Sequence, residues 1–380
     1  MKFVRYIVLT VVCILFMGLY LLEPWQERTL PTDHYELATK ITPITVSFAA
    51  VGDNLIHGAI YYDARTGENT YDFTPYYTEV KDYIQEADVS FINQETVIGG
   101  KAMGLSHYPQ FNSPEEVVDA IVDTGFDLVN TASNHSLDKR EQGIVNAMNT
   151  FAKYPELVVN GTNASQEQAE ELRILESKGV KIGFLAYTYG TNGIPTPSGK
   201  EYLVNRIEKE KIIADIEEIT PECDILVVSM HWGTEDSHTV NSMQEEYVDL
   251  LHSLGVDVII GTHPHVIQKS ELVVRDGHEM LVMYSLGNFL SAQDKVKNML
   301  ELMMLWEIEY SPLTDEVHFS DIEAVPLINH FDSGFRNFKV YPLKEYTEEL
   351  AKRHGLDFTK QQMVDLTQKV MGEEIKIAWE

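Results

Sequence analysis

The chain is short of two residue classes, and each shortage excludes something. Cysteine occurs only twice in 380 residues, at Cys13 and Cys223. Two cysteines build no disulfide framework, and a zinc–thiolate site would lack its ligands. Lysine and arginine total 29 against 59 acidic residues, a formal net charge of −30. That balance provides no basic stripe for a nucleic-acid backbone, and it disfavours broad adhesion to anionic lipid. It suits a solvated surface or one that handles cations. No Gly-x-Ser-x-Gly nucleophile turn is present, and Gly183, Gly190 and Gly193 do not form a phosphate-cradling loop before a helix. Repeats and low-complexity segments are also missing. A hydrophobic content of 44% with 10% aromatics excludes a disordered chain.

What is present starts at the N-terminus. Lys2 and Arg5 precede residues 6–22, which carry no charge. With its flanks this run approaches the roughly 20 residues that span a bilayer as a helix. A cleaved signal peptide calls for a shorter apolar core and a small-x-small exit. The exit here is Leu21, Leu22, Glu23 and Pro24, and Val12 before Cys13 is not the small residue of a lipoprotein signal. The expectation is an uncleaved single-pass anchor over 1–22, basic end inside and the rest extracytoplasmic. Residues 23–44, with Pro24, Pro31 and Pro43, read as a tether. A domain over 45–340 and a helical extension over 341–380 follow.

Within the domain one grammar recurs: an apolar, β-branched run ends in a polar cluster. Residues 46–51 lead to Asp53, 89–92 to Glu95, and 126–129 to Asn134 and His135. Residues 225–230 lead to His231, 256–260 to His263 and His265, and 280–286 to Asn288. Continuous apolar runs of this length suit strands buried on both faces. Ser113 as N-cap, Pro114 and Glu115 open a helix that stops at Gly125, and another runs from near Asn241 to Gly255. Strand and helix alternation indicates α/β architecture. Strand-like segments at 174–175, 180–187, 300–310 and 316–327 add an antiparallel part, hence a mixed sheet or two packed sheets.

Ligands in open α/β sheets bind beyond the carboxyl ends of the strands. Five strand ends here carry Asp53, Glu95, Asn134 with His135, His231, and His263 with His265. Taken singly, each has a structural reading: a helix cap, a turn, a rigid loop. Jointly, carboxylate, amide oxygen and imidazole suit one or two divalent transition ions such as Mn, Zn or Fe, rather than an all-oxygen calcium site. Two such ions about 3.5–4 Å apart can activate water and clamp a phosphoryl group. Glu95 or Asp53 is the natural bridging carboxylate. Trp232, Tyr284 and Phe289 read as core, and the Asn160–Thr162 glycosylation match as chance.

The ordered series Gly52-Asp53, Asn93-x-Glu95, Asn134-His135-x-x-Asp138, His231-Trp232-Gly233-x-Glu235, Gly261-x-His263-Pro264-His265 and Tyr284 to Phe289 resembles the CapA family of poly-γ-glutamate capsule synthesis proteins. That family is similar in turn to calcineurin-like metallophosphoesterases. The resemblance covers about residues 45–295. It implies two packed mixed β-sheets flanked by helices, a four-layer sandwich, with an N-terminal transmembrane helix. It implies a role in making, exporting or anchoring the polymer, with the membrane subunits of a synthase or exporter as partners. The substrate would be the anionic polymer or a phosphorylated envelope precursor. Asp53, Glu95, Asn134, His231, His263 and His265 would be metal ligands. His135 would contact substrate or protonate the leaving group, and Asp138 would hold its ring. An alternative is a non-catalytic scaffold subunit on the inherited fold. The sequence departs from the phosphoesterase pattern at Leu55, where histidine is usual (His57 lies two residues on), and at Glu95, where aspartate is usual. These departures imply that one metal position is weak or absent.

Overall fold

The computed structural model describes residues 42–379. The apolar run at 6–22 and most of the tether lie outside the described residues. Among the described residues no helix is long and apolar enough to cross a membrane.

Strands are numbered along the chain: β1 (Ile44–Asn54), β2 (Val89–Gln94), β3 (Leu128–Asn130), β4 (Val158–Asn160), β5 (Ile174–Ser177), β6 (Val180–Thr188) and β7 (Ile225–His231). There follow β8 (Val258–Thr262), β9 (Ser270–Arg275), β10 (His278–Met283), β11 (Leu300–Ser311), β12 (Glu316–Asp332), β13 (Arg336–Pro342) and β14 (Lys376–Ile377). They form two mixed sheets. The first has the order β13-β12-β11-β1-β2-β3-β4, with β14 beside β12. Its strands β1 to β4 are parallel, and β11 to β13 form an antiparallel meander. The second has the order β5-β6-β7-β8-β10-β9, parallel in the middle and antiparallel at both edges.

The double burial expected of the apolar runs is visible in β7. Ile225 and Val227 point into the main core with Phe91 and Phe184. Leu226, Val228 and Met230 pack with Ile212, Ile216, Val248 and Leu251, from the helices Lys209–Ile219 and Ser242–Ser253. Side chains alternate along a strand, so a run covered on both faces is almost wholly apolar, with the small Ser229 the exception before His231. Each such aliphatic side chain stabilises the fold by about 1.5–3 kcal/mol on burial. The two mixed sheets with flanking helices are the architecture read from the sequence.

Helix ends follow the expected chemistry with one correction. Asn241 and Gln244 form a reciprocal capping box, and the chain leaves that helix through Gly255 at φ 77°. The helix Glu116–Thr124 ends at Gly125, φ 104°, whose N–H donates to Ile121 and Val122 carbonyls. Its start differs from the reading: Ser113 does not cap it, because its hydroxyl pairs with Thr96 at 2.8 Å. Beyond β13, the helices Glu348–Arg353 and Lys360–Met371 bury Ala351, Met363 and Met371 in the main core, and β14 returns to β12.

Candidate metal centre

The carboxyl ends of β1, β2, β3, β7 and β8 meet at one edge of the sandwich. Asp53 is placed by a tight backbone crossing. Its N–H donates to the Gly287 carbonyl at 2.8 Å, and the Gly52 N–H donates to a buried Glu301 carboxylate oxygen at 2.6 Å. A Cβ on Gly52 would sit 2.0 Å from the Gly287 oxygen, so only glycine allows this approach. His263 and His265 adopt φ of 95° and 58° on either side of Pro264. Left-handed backbone at non-glycine residues costs of order 1–3 kcal/mol each, and such strain concentrates at functional sites. The bend brings the His263 backbone N–H and the His265 ring to Asp53. The His263 N–H approaches both Asp53 oxygens at 3.3 Å, and His265 Nδ1 lies 3.0 Å from Asp53 Oδ2 and from Asn288 Oδ1.

Glu95 stands at the centre. It is 1% exposed, and neither carboxylate oxygen has a hydrogen-bond partner. Its Oε1 lies 3.7 Å from His265 Nε2 and 4.0 Å from His231 Nε2. His263 Nδ1 is also buried without a partner. Ligand atoms of Asp53, Glu95 and His265 lie within 4.8 Å of one another, as do those of Glu95, His231 and His263. Glu95 belongs to both groups, which is the geometry of a bridging carboxylate. Asn134 Oδ1 sits 3.0 Å from His231 Nε2, while His231 Nδ1 is held by Thr262 at 3.0 Å. All six residues read as ligands therefore come together.

Stranding a buried polar atom costs about 1–3 kcal/mol, more if it is charged. Several such atoms facing one another need a proton or a cation between them. Burial pushes Glu95 well above the usual carboxylate range, against the pull of His265, and Asp53 adds to the rise. Burial pushes His231 and His263 well below the usual imidazole value, keeping both neutral, as ligands must be. Burial alone would lower His265, but Glu95 and Asp53 outweigh it and raise it to about 10. Carboxylates, imidazoles and an amide oxygen are donors suited to a borderline transition ion. The residues present thus fit one or two divalent ions.

His135 lies next to these ligands. Its Nδ1 is 2.7 Å from Asp138 Oδ2, which also accepts the Phe111 N–H at 2.7 Å. The Phe111 ring packs edge-on against the imidazole at 4.7 Å. Nδ1–H donation to Asp138 fixes the tautomer and leaves Nε2 for chemistry. His57 is elsewhere engaged: its Nδ1 meets the Leu55 carbonyl at 3.0 Å and the Ala292 N–H at 3.2 Å. It enters none of the candidate ligand groups.

Two residues of the site went unread. Glu235, seen in sequence only as part of a motif, groups with His263 and His265 within the same 4.8 Å limit. Tyr189, 41% exposed, lies at 4.6 Å from the His263 ring. Only the motif spacing hinted at Glu235, and nothing marked Tyr189. Trp232, Tyr284 and Phe289 are buried, as expected of core. Asn160 is no glycosylation acceptor, since its buried Nδ2 donates to the Phe184 carbonyl at 2.6 Å.

Residues 47–293 match the family described as bacterial capsule synthesis protein PGA_cap. The chain belongs to this family. Over 186 residues this chain is 28% identical to the PGA biosynthesis protein CapA of Bacillus subtilis, covering 47% of this chain and 46% of that one. Over 191 residues it is 28% identical to the capsule biosynthesis protein CapA of Bacillus anthracis, covering 48% and 44%. The chain spans about half the length of the curated relatives it matches. Among solved structures it is similar to the calcineurin-like phosphoesterase YfkN from Bacillus subtilis, over 86% of this chain and 97% of that one, at 12% identity and a TM-score of 0.45.

Proposed function

We propose that this family member is a membrane-anchored, outward-facing protein that serves poly-γ-glutamate synthesis or export through a two-metal, hydrolase-like site. The single observation that carries the metal site is Glu95, a buried carboxylate with two unpartnered oxygens shared between two ligand groups. When bound, a pair of divalent ions supplies Lewis-acid charge and acidifies a water near neutral pH. The chain's own residues do the rest. Asp53 and His265 group with Glu95 around one candidate position, and His231 and His263 group with it around the other, with Asn134 Oδ1 3.0 Å from His231 Nε2. With its Nδ1–H held by Asp138, His135 would give the departing oxygen a proton from Nε2 when the ring carries both protons. A −30 chain repels a polyanion, and bound cations offset that repulsion locally. The partners are membrane subunits of the synthase or exporter.

The scaffold reading draws support from Leu55, a buried apolar residue where a histidine ligand is usual. Cells separate the two. In a strain carrying only His135→Ala, cell-associated polymer should fall while the protein stays folded and metal-loaded. Full polymer display would exclude a catalytic role for His135. Topology is tested separately: protease added to intact protoplasts should remove the domain, and protection of the domain would refute the outward orientation.

A further inference from the structure

The group Asp53, Glu95 and His265 brings three side chains to one ion position, and Leu55 offers no donor. A carboxylate approaches His263 and His265 from the solvent side. Glu235 has an oxygen within 4.8 Å of ring nitrogens of both His263 and His265, yet the residue is exposed.

Its position is built, not incidental. Glu235 lies between two residues with left-handed backbone, Gly233 at φ 88° and Asp236 at φ 64°. A Cβ on Gly233 would press on Gln244 and Pro264 at 3.1 Å. The Asp236 N–H donates to the Pro264 carbonyl at 2.8 Å, so the loop is tied to the residue between the two histidines. The Asp236 carboxylate takes Lys295, Lys297 at 3.5 Å and Asn298 Nδ2 at 3.1 Å. Asn298 Nδ2 also donates to the His265 carbonyl at 2.9 Å. One clamp therefore registers the Glu235 loop and the His265 backbone together. The two neighbouring lysines pair with Asp236, and neither pairs with Glu235. The independent sign that a cation belongs here is Glu95, whose oxygens are buried and unpartnered beside His265.

We propose that Glu235 is a metal ligand, a further carboxylate donor beside His263 and His265 in a centre that has no histidine at position 55. This rests on the two-metal reading. Carboxylate and imidazole donors in these numbers suit Mn or Zn.

The test is Mn²⁺ titration of the metal-stripped full-length protein by calorimetry, with melting temperature read in parallel. Glu235→Gln is compared with the parent and with Glu246→Gln, an exposed carboxylate on the helix Ser242–Ser253 that controls for the lost charge. The expected result is two ions in the parent and in Glu246→Gln. Glu235→Gln should keep one tight ion and bind the other more than about 10-fold more weakly. The metal-free melting temperature should not move, because an exposed side chain carries no packing. Two unchanged affinities in Glu235→Gln would overturn the assignment while leaving the two-metal reading intact. Equal weakening in Glu246→Gln would overturn it as a general charge effect. A parent that binds no ion would sink both readings together.

Discussion

Histidines gather at the strand ends and again beneath the β12–β13 hairpin, and the two places differ in how the ring nitrogens are satisfied. Under the hairpin, His330 Nδ1 meets the Tyr346 hydroxyl at 2.7 Å and Nε2 meets Asp332 at 3.1 Å. His354 Nε2 lies 3.2 Å from the Asn329 carbonyl, and its Nδ1 accepts the Leu356 N–H at 2.9 Å. Every ring nitrogen there has a protein partner. At the strand ends, His263 Nδ1 and both Glu95 oxygens have none. Burial and residue type are alike, and so is the downward push of burial on His354, to about 4. Both ring nitrogens of His231 also have partners, so what separates the two places is the unfilled hydrogen-bonding capacity of Glu95 and His263.

The comparison can be broken at several points. The largest effect is expected at His135. If the centre is catalytic, His135→Ala should slow hydrolysis of a chromogenic phosphodiester by roughly 10²–10⁴-fold, the usual contribution of a positioned acid or base, with metal content unchanged. Asp138→Asn should lose less, since it disturbs only the ring's orientation. A His135→Ala enzyme as fast as the parent would remove that role.

Next come the ligands. His231→Ala or His263→Ala should lower metal occupancy and melting temperature together, because the ligands bind metal mainly in the folded state. Chelator should lower the parent's melting temperature more than it lowers that of these variants. Equal metal content in parent and variants would refute the assignment.

A buried carboxylate away from the centre gives a pH effect. Asp257 accepts the Leu226 N–H at 2.8 Å, but burial raises it from 3.8 to about 7. The folded state holds this proton to higher pH than the unfolded chain does. Its contribution is therefore fully present below 3.8, is lost as pH rises to about 7, and is constant above. The loss is at most about 4 kcal/mol. Asp257→Asn should flatten the melting temperature across that window, and an unchanged slope would show that another group sets it.

The smallest effect falls in the satisfied cluster. His330→Leu should cost about 1–3 kcal/mol by stranding Tyr346 and Asp332. It should leave metal content untouched and keep the parent's response to chelator. Metal loss in this variant would erase the distinction between the two clusters.

Much of this was legible in the linear sequence, for a physical reason. Strands covered on both faces read as nearly unbroken apolar runs, so β1, β2, β7, β8 and β10 announce themselves, and the polar residues that end the first four are candidate ligands. Strand β4 is three residues long and shows no period. Glu301 is hidden within the apolar run of β11, where its task is to hold the Gly52 N–H. Glu235 escaped because its position depends on backbone turns at Gly233 and Asp236 and on a clamp from residues about 60 positions away. Ser113 was misread because its hydroxyl had a better partner in Thr96 than in the helix it precedes. Local pattern reports burial and strand ends, whereas long-range partners decide which polar group does what.

The central claim is that Glu95 is shared between two ions. Metal stoichiometry of the purified full-length protein tests it most directly, with Glu95→Ala set beside Asp53→Ala and folding checked by circular dichroism. Two ions per chain are expected in the parent, one in Asp53→Ala and none in Glu95→Ala. A Glu95→Ala protein that keeps as much metal as Asp53→Ala, or a parent that holds none, would contradict the account.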